Sequence, residues 1–70
     1  MKMNKTYKII ELAGVSDKSY ENAIENAVAE AAKSLKGLSW FEVQQMRGGI
    51  KDGKISEYQV ILKVGFRLID

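Results

Sequence analysis

A single tryptophan, Trp40, the amides of Gln44, Gln45 and Gln59, and two arginines, Arg47 and Arg67, are the side chains best suited to act beyond the fold. An indole offers a flat apolar face that either stacks on a planar ring or anchors a subunit interface. Amides supply donors and acceptors together, which suits the edge of a heterocycle. A guanidinium either grips a phosphate through paired hydrogen bonds or remains a solvated or interfacial charge. Residue type alone leaves both readings open. Catalysis is less well provided for. The chain has no His and no Cys, so the usual nucleophile–base pairs and the commonest zinc ligands are missing. Glu42 and Glu57 have no obvious acid–base partner, and Gly48, Gly49 and Gly53 make no phosphate-binding loop signature. The expectation is a binding protein without a metal, not an enzyme.

The elements that must carry these residues follow from periodicity. Tyr7–Leu12 reads as a first strand, closed by Ala13-Gly14, with both faces mixed. Tyr20, Ala23, Ile24, Ala27, Val28, Ala31 and Leu35 recur at helical spacing and form one apolar stripe, core in character. Ser19 is the expected N-cap, and Gly37 is placed to end the helix in a left-handed turn. Glu21, Glu25 and Glu30 precede Lys33 and Lys36, the order that suits the helix dipole. Leu38–Ile50 and Lys54–Ile69 read as two long strands joined by Asp52-Gly53, a strong two-residue hairpin signal.

In that hairpin Lys51 opposes Lys54, which sets Phe41 against Val64, Val43 against Leu62, Glu42 against Lys63, and Trp40 against Gly65. Glycines 48 and 49 are candidates for a bulge, so the register is firmest at the far ends of the strands. Tyr58, Val60, Leu62, Val64, Phe66 and Leu68 alternate onto the side that faces the helix. The other side, with nothing in the chain to cover it, is expected to hold Trp40, Glu42, Gln44, Met46, Gln59, Ile61, Lys63 and Arg67. The fold class is α+β, in the order β-α-β-β, with a three-stranded antiparallel sheet wrapped on one helix. Gln59 lies six positions from Gly65, roughly 20 Å at strand rise. If Trp40 and Gln59 share a ligand, different subunits supply them.

Composition points to self-association. Residues 1–70 make one small domain. Folds of this size usually need disulfides, a metal or oligomerisation. Hydrophobic residues are 46% of the chain, more than one small core should require. Met1–Lys8 is polar and basic, without the apolar run of a signal peptide, and no stretch reaches the length of a membrane span. A cytoplasmic protein without a membrane partner is the plain expectation. Eleven basic and nine acidic residues are well mixed and leave a net charge of +2. They form no tract for nucleic acid, and the several aromatics of a single-strand platform are absent.

The run Trp40-Phe41-Glu42-Val43, then Arg47-Gly48, Asp52-Gly53, Tyr58-Gln59-Val60 and Lys63-Val64-Gly65-Phe66-Arg67-Leu68 closely resembles the dodecin family. So does the opening Tyr7-Lys8 with Ile10-Glu11-Leu12 and Gly14, so the resemblance spans nearly the whole chain. It implies a hollow homododecamer that binds flavin in pairs at subunit interfaces and stores it without catalysis. Trp40 matches the family's stacking Trp, which quenches the flavin by electron transfer, and Gln59 matches the Gln on the ring's polar edge. Arg47 matches the Arg of members that prefer FMN, with Arg67 and Lys36 as further candidates for the phosphate. FMN is the implied cofactor; riboflavin and FAD are the other flavins the resemblance allows. A ligand-free oligomer, or a variant that binds coenzyme A or another nucleotide, is the alternative. Two departures stand out: Gly49 replaces a frequent His, and Gln45 replaces a frequent acid, which puts nearby ion binding in doubt.

Overall fold

The structure is a computed structural model that describes residues 4–68. The expected strand end at Ile69, and Met1–Met3 of the basic head, lie outside the described residues. The order is β1 (Tyr7–Ser16), α1 (Tyr20–Ala32), β2 (Leu38–Lys51) and β3 (Lys54–Arg67). The sheet is antiparallel with β3 in the centre, flanked by β1 and β2. This is the β-α-β-β architecture expected from the sequence.

β1 runs further than expected, through Ala13-Gly14 to Ser16. Gly14 stays in the ladder opposite Val60. Its glycine character serves helix packing: a Cβ there would collide with the carbonyl oxygen of Ala23 and lie 3.0 Å from the Ala27 Cβ. Missing side-chain bulk on the strand, combined with alanines on the helix, brings the two backbones together. Ser16 closes the connection. Its buried Oγ accepts from the Lys18 amide at 2.9 Å and donates to Asn22 Oδ1 at 2.7 Å. Ser19 is the N-cap, extended at φ −168°, with its Oγ accepting the Asn22 amide at 3.0 Å.

The helix ends at Ala32, with Lys33 as C-cap in a right-handed conformation. The expectation that Gly37 ends the helix is therefore corrected. Its left-handed φ of 79° instead turns the chain into β2, where its carbonyl accepts the Arg67 amide at 3.0 Å. Lys33 and Lys36 both fall beyond the last turn, so no basic residue meets the C-terminal dipole within the helix.

Ala23, Ala27, Val60, Leu62 and Val64 form the buried cluster, with Ile10, Leu12, Tyr20, Ile24, Val28 and Leu38 packed against it. The expected helix stripe and β3 alternation thus meet as one core. Helix α1 packs on β1 and β3 but scarcely on β2. Phe41 is 50% exposed and Met46 55% exposed, although both lie on the side of the sheet that carries the helix. The molecule extends 58 × 21 × 14 Å, and its hairpin projects past the helix.

The hairpin closes in a left-handed pair, Asp52 at φ 53° and Gly53 at φ 76°, as a two-residue primed turn requires. Lys51 opposes Lys54, and the expected pairs at residues 40–43 are all present. Between them the register differs. Ser56 is an extra residue in β3, so from Gly49 to Gln45 each partner is shifted by one. Gln44 is an extra residue in β2 and shifts it back before Val43 meets Leu62. The two irregularities cancel, so the far-end register is the same as for an unbulged hairpin. A further shift lies at Ser39. Glu42 and Lys63 are cross-strand neighbours, but among the described residues the one side-chain ion pair is Lys33 Nζ–Glu30 Oε1 at 3.3 Å.

Gly14→Ala should force the helix away from β1 and cost about 1–3 kcal/mol, the usual range for overpacking. Chemical denaturation should show a lower midpoint at unchanged slope. An unchanged midpoint would mean that the close approach at Ala23 is not held in solution.

Candidate functional site

The face of the sheet opposite the helix is built from two clusters. At one end, Trp40 crosses from β2 onto the central strand and lies over Gly65. A Cβ at Gly65 would overlap Trp40 Cε2, Cζ2 and Cη2. The indole therefore occupies the place a side chain would take, which is why glycine is required there. Tyr7, across the sheet on β1, leans on the indole with ring centroids 5.0 Å apart and planes inclined at 59°. Tyr7 is also the register partner of Arg67. One side of the indole is backed by backbone, and Trp40 as a whole remains 42% exposed.

The second cluster owes its existence to the bulges. With the shifted register Arg47 stands opposite Gln59, and its Nε donates to Gln59 Oε1 at 2.6 Å. The expected list of residues on this face changes accordingly. Gln45 and Arg47 pair with Ile61 and Gln59 on the uncovered side, whereas Met46 pairs with Val60 on the helix side, and Gln44 has no partner in the ladder. Simple alternation places Gln44 and Met46 on the uncovered face; one extra residue at Gln44 reverses the parity beyond it.

The structure brings Trp40, Tyr7, Gly65 and Arg67 together, and separately Arg47 and Gln59. It does not join the two groups within a chain. Gln59 and Gly65 are six positions apart on β3, about 20 Å at strand rise. Lys36 is exposed in the α1–β2 connection, and Arg67 is exposed at the end of β3. The crevice beside Trp40, lined by Val28, Leu38, Ser39, Phe41 and Val64, holds about 160 Å³, less than the roughly 300–1,000 Å³ of common ligand pockets. A larger groove of about 310 Å³ lies on the helix side between β1 and α1, lined mainly by apolar residues such as Ile10, Leu12, Ala27 and Leu35. Among the described residues no cluster of three or more acids suits a metal ion, and no helix is long and apolar enough to cross a membrane.

Residues 6–69 match the dodecin family model. The chain belongs to the dodecin family. Dodecins are small flavin-binding proteins, known as multimeric assemblies and as binding proteins without catalysis. The chain is 52% identical to a dodecin of Thermus thermophilus over 66 residues, covering 94% of this chain and 96% of the relative. The solved dodecin of Streptomyces coelicolor is 45% identical, with a TM-score of 0.94 and 99% of each chain covered. The dodecin from Streptomyces davaonensis is 42% identical with a TM-score of 0.92, covering 96% of this chain and 98% of that one.

Two features of the site are not legible in the sequence. Tyr7 stands out in the sequence only as a strand residue and as part of the opening that resembles the family, because its place beside Trp40 depends on β1 lying across β3. The Arg47–Gln59 pair had a partial signal in Gly48-Gly49, which marked this stretch for a bulge; both glycines stay paired, and the extra residues lie instead at Ser56 on β3 and Gln44 on β2. The residues present fit a planar ring. Trp40 offers a rigid, backed aromatic face, and Gln59 retains amide donors beyond its bond to Arg47.

Gly65→Ala should displace the indole. Trp40 is the chain's one tryptophan, so its emission should shift to the red while far-ultraviolet circular dichroism stays constant. Identical emission in the two proteins would show that the indole is not seated on Gly65.

Proposed function

We propose that this dodecin stores and sequesters flavin, FMN in preference to riboflavin, between the subunits of a hollow dodecamer, and that Trp40 quenches the photochemistry of the bound ring. The observation that carries this reading is the indole laid over Gly65, in a chain of a flavin-binding family. A face held in this way is preorganised, so stacking a tricyclic ring on it costs little further ordering. Offset stacking brings the indole within van der Waals distance of the flavin, where an electron passes readily to the excited ring. Gln59 is the hydrogen-bonding partner for the ring's polar edge. Arg67 beside the stack, Arg47 and Lys36 supply positive charge for the phosphate that distinguishes FMN from riboflavin.

The separation of the two clusters supports an interfacial site. A flavin on Trp40 of one chain reaches a Gln59 only if another chain brings it. The bare hairpin and the exposed Phe41 and Met46 supply apolar surface for that assembly. Light scattering should report a mass close to twelve chains at micromolar concentration. A stable monomer would remove the basis for the interfacial site.

Trp40→Phe should still assemble, bind FMN somewhat less tightly, and leave the bound flavin visibly brighter, because a phenyl ring is a far poorer electron donor. Trp40→Ala should lose about 1–3 kcal/mol of affinity, by analogy with base–aromatic stacking. Flavin fluorescence at saturation, with size measured in parallel, checks both. Equal, unquenched emission in wild type and Trp40→Phe would refute the stacking role. Loss of assembly in Trp40→Ala, with no flavin bound by any variant, would make Trp40 an interface anchor.

A further inference from the structure

The bond between Arg47 and Gln59 does more than occupy two polar groups. A glutamine amide has an acceptor at one end and a donor at the other, and a free one can turn to offer either. Arginine has donors only. Arg47 Nε can therefore pair with Gln59 in one orientation, with Oε1 towards the guanidinium, as found at 2.6 Å. The reverse flip would set N–H against N–H. The amide's order is thus fixed, with oxygen on the Arg47 side and Nε2 directed away from it. The arrangement depends on the bulges: in an unbulged hairpin, where partner numbers sum as for Lys51 and Lys54, Gln59 would face Met46, which has no donor. Gln59 is half-buried, while Arg47 is exposed and has its terminal nitrogens still available.

We propose that Arg47 is a positioning residue that locks the polarity of Gln59, so that the site selects a planar ligand whose edge presents a carbonyl oxygen or ring-nitrogen acceptor to Gln59 Nε2. This inference rests on the flavin-binding reading, since the pyrimidine edge of a flavin carries such acceptors. It gives Arg47 a role towards the ring itself, separate from any attraction to a phosphate. Riboflavin, which has no phosphate, isolates that role.

The test is a riboflavin titration of the assembled protein by fluorescence, with Arg47→Met, Arg47→Lys, Gln59→Ala and the double variant Arg47→Met/Gln59→Ala. Methionine keeps the length of the side chain without a donor. Arg47→Met should weaken riboflavin about ten-fold, the scale of one lost charge-assisted hydrogen bond. Arg47→Lys should recover part of the loss, since its ammonium can still donate to Oε1. In the Gln59→Ala background, Arg47→Met should change affinity by less than about two-fold, because coupled residues are non-additive. Fully additive losses, or a loss confined to FMN with riboflavin unaffected, would overturn the proposal. If the wild type binds neither flavin, the flavin reading fails, and the lock is then read in the protein alone. Exchange of the Arg47 Nε proton with solvent should be at least about ten-fold slower in wild type than in Gln59→Ala. Equal rates would overturn the lock itself.

Discussion

A helix of 13 residues is about 20 Å long, whereas strands of 14 residues run to about 46 Å. That mismatch governs the molecule. The helix can shelter only the part of the sheet it lies on, so the buried cluster forms where α1 meets the central strand and β1. Val60, Leu62 and Val64 sit beneath Ala23 and Ala27, and the approach is close because Gly14 presents no side chain to the helix. β2 receives almost none of this cover. Apart from Leu38, which packs against the core, its apolar side chains Trp40, Phe41, Val43, Met46 and Ile50 are exposed, which is an unstable condition for a chain with so small a core. The same shortage of helix that weakens the single chain leaves a long, exposed hairpin available to other copies.

The hairpin is not a plain ribbon, and its irregularities decide what that exposed surface presents. An extra residue at Ser56 and another at Gln44 bracket a segment whose partners are offset by one. The offset changes which side chains share a face without altering where the strands begin or end. Inside the bracket, Arg47 meets Gln59 and Met46 turns to the helix side. Outside it, Trp40 retains its place over Gly65. Bulges also increase local twist and bend a strand, which suits a sheet that must wrap around a helix. One local device thereby shapes the sheet and pairs the polar groups.

The two clusters differ in how they are held. Trp40 is held by shape: a glycine leaves a gap, and the indole with Tyr7 beside it fills that gap. Gln59 is held by a directional bond to a donor-only partner. Shape leaves an aromatic face free, and the directional bond leaves a defined donor free. A site assembled from them combines apolar stacking with a small number of fixed polar groups, the usual composition of a ligand site. Since each chain carries the two clusters apart, the proposed site, which draws on both, would tie ligand binding to assembly.

Much of this was legible in the sequence, for physical reasons that can be named. The helix stripe from Tyr20 to Ala31 and the strict alternation of β3 report a core face directly, because burial imposes the period. Asp52-Gly53 specifies a turn that only residues tolerant of positive φ adopt, and counting from that turn sets Trp40 against Gly65, a register that holds because the extra residues at Ser56 and Gln44 cancel. What the tertiary structure alone decided is the interior of the hairpin and the neighbours across the sheet. Gly48-Gly49 permits a bulge, but the extra residues fall at Ser56 and Gln44, positions that no local pattern marks. The end of the helix at Ala32 and the new use of Gly37 follow from where β2 must enter the sheet beside Arg67. Tyr7 reaches Trp40 because β1 pairs with the central strand from the other side, a relation between residues 33 positions apart in sequence. Short-range preferences set the elements and their faces; one-residue offsets and cross-sheet neighbours arise from the balance of long-range packing, which exists only once the chain has folded.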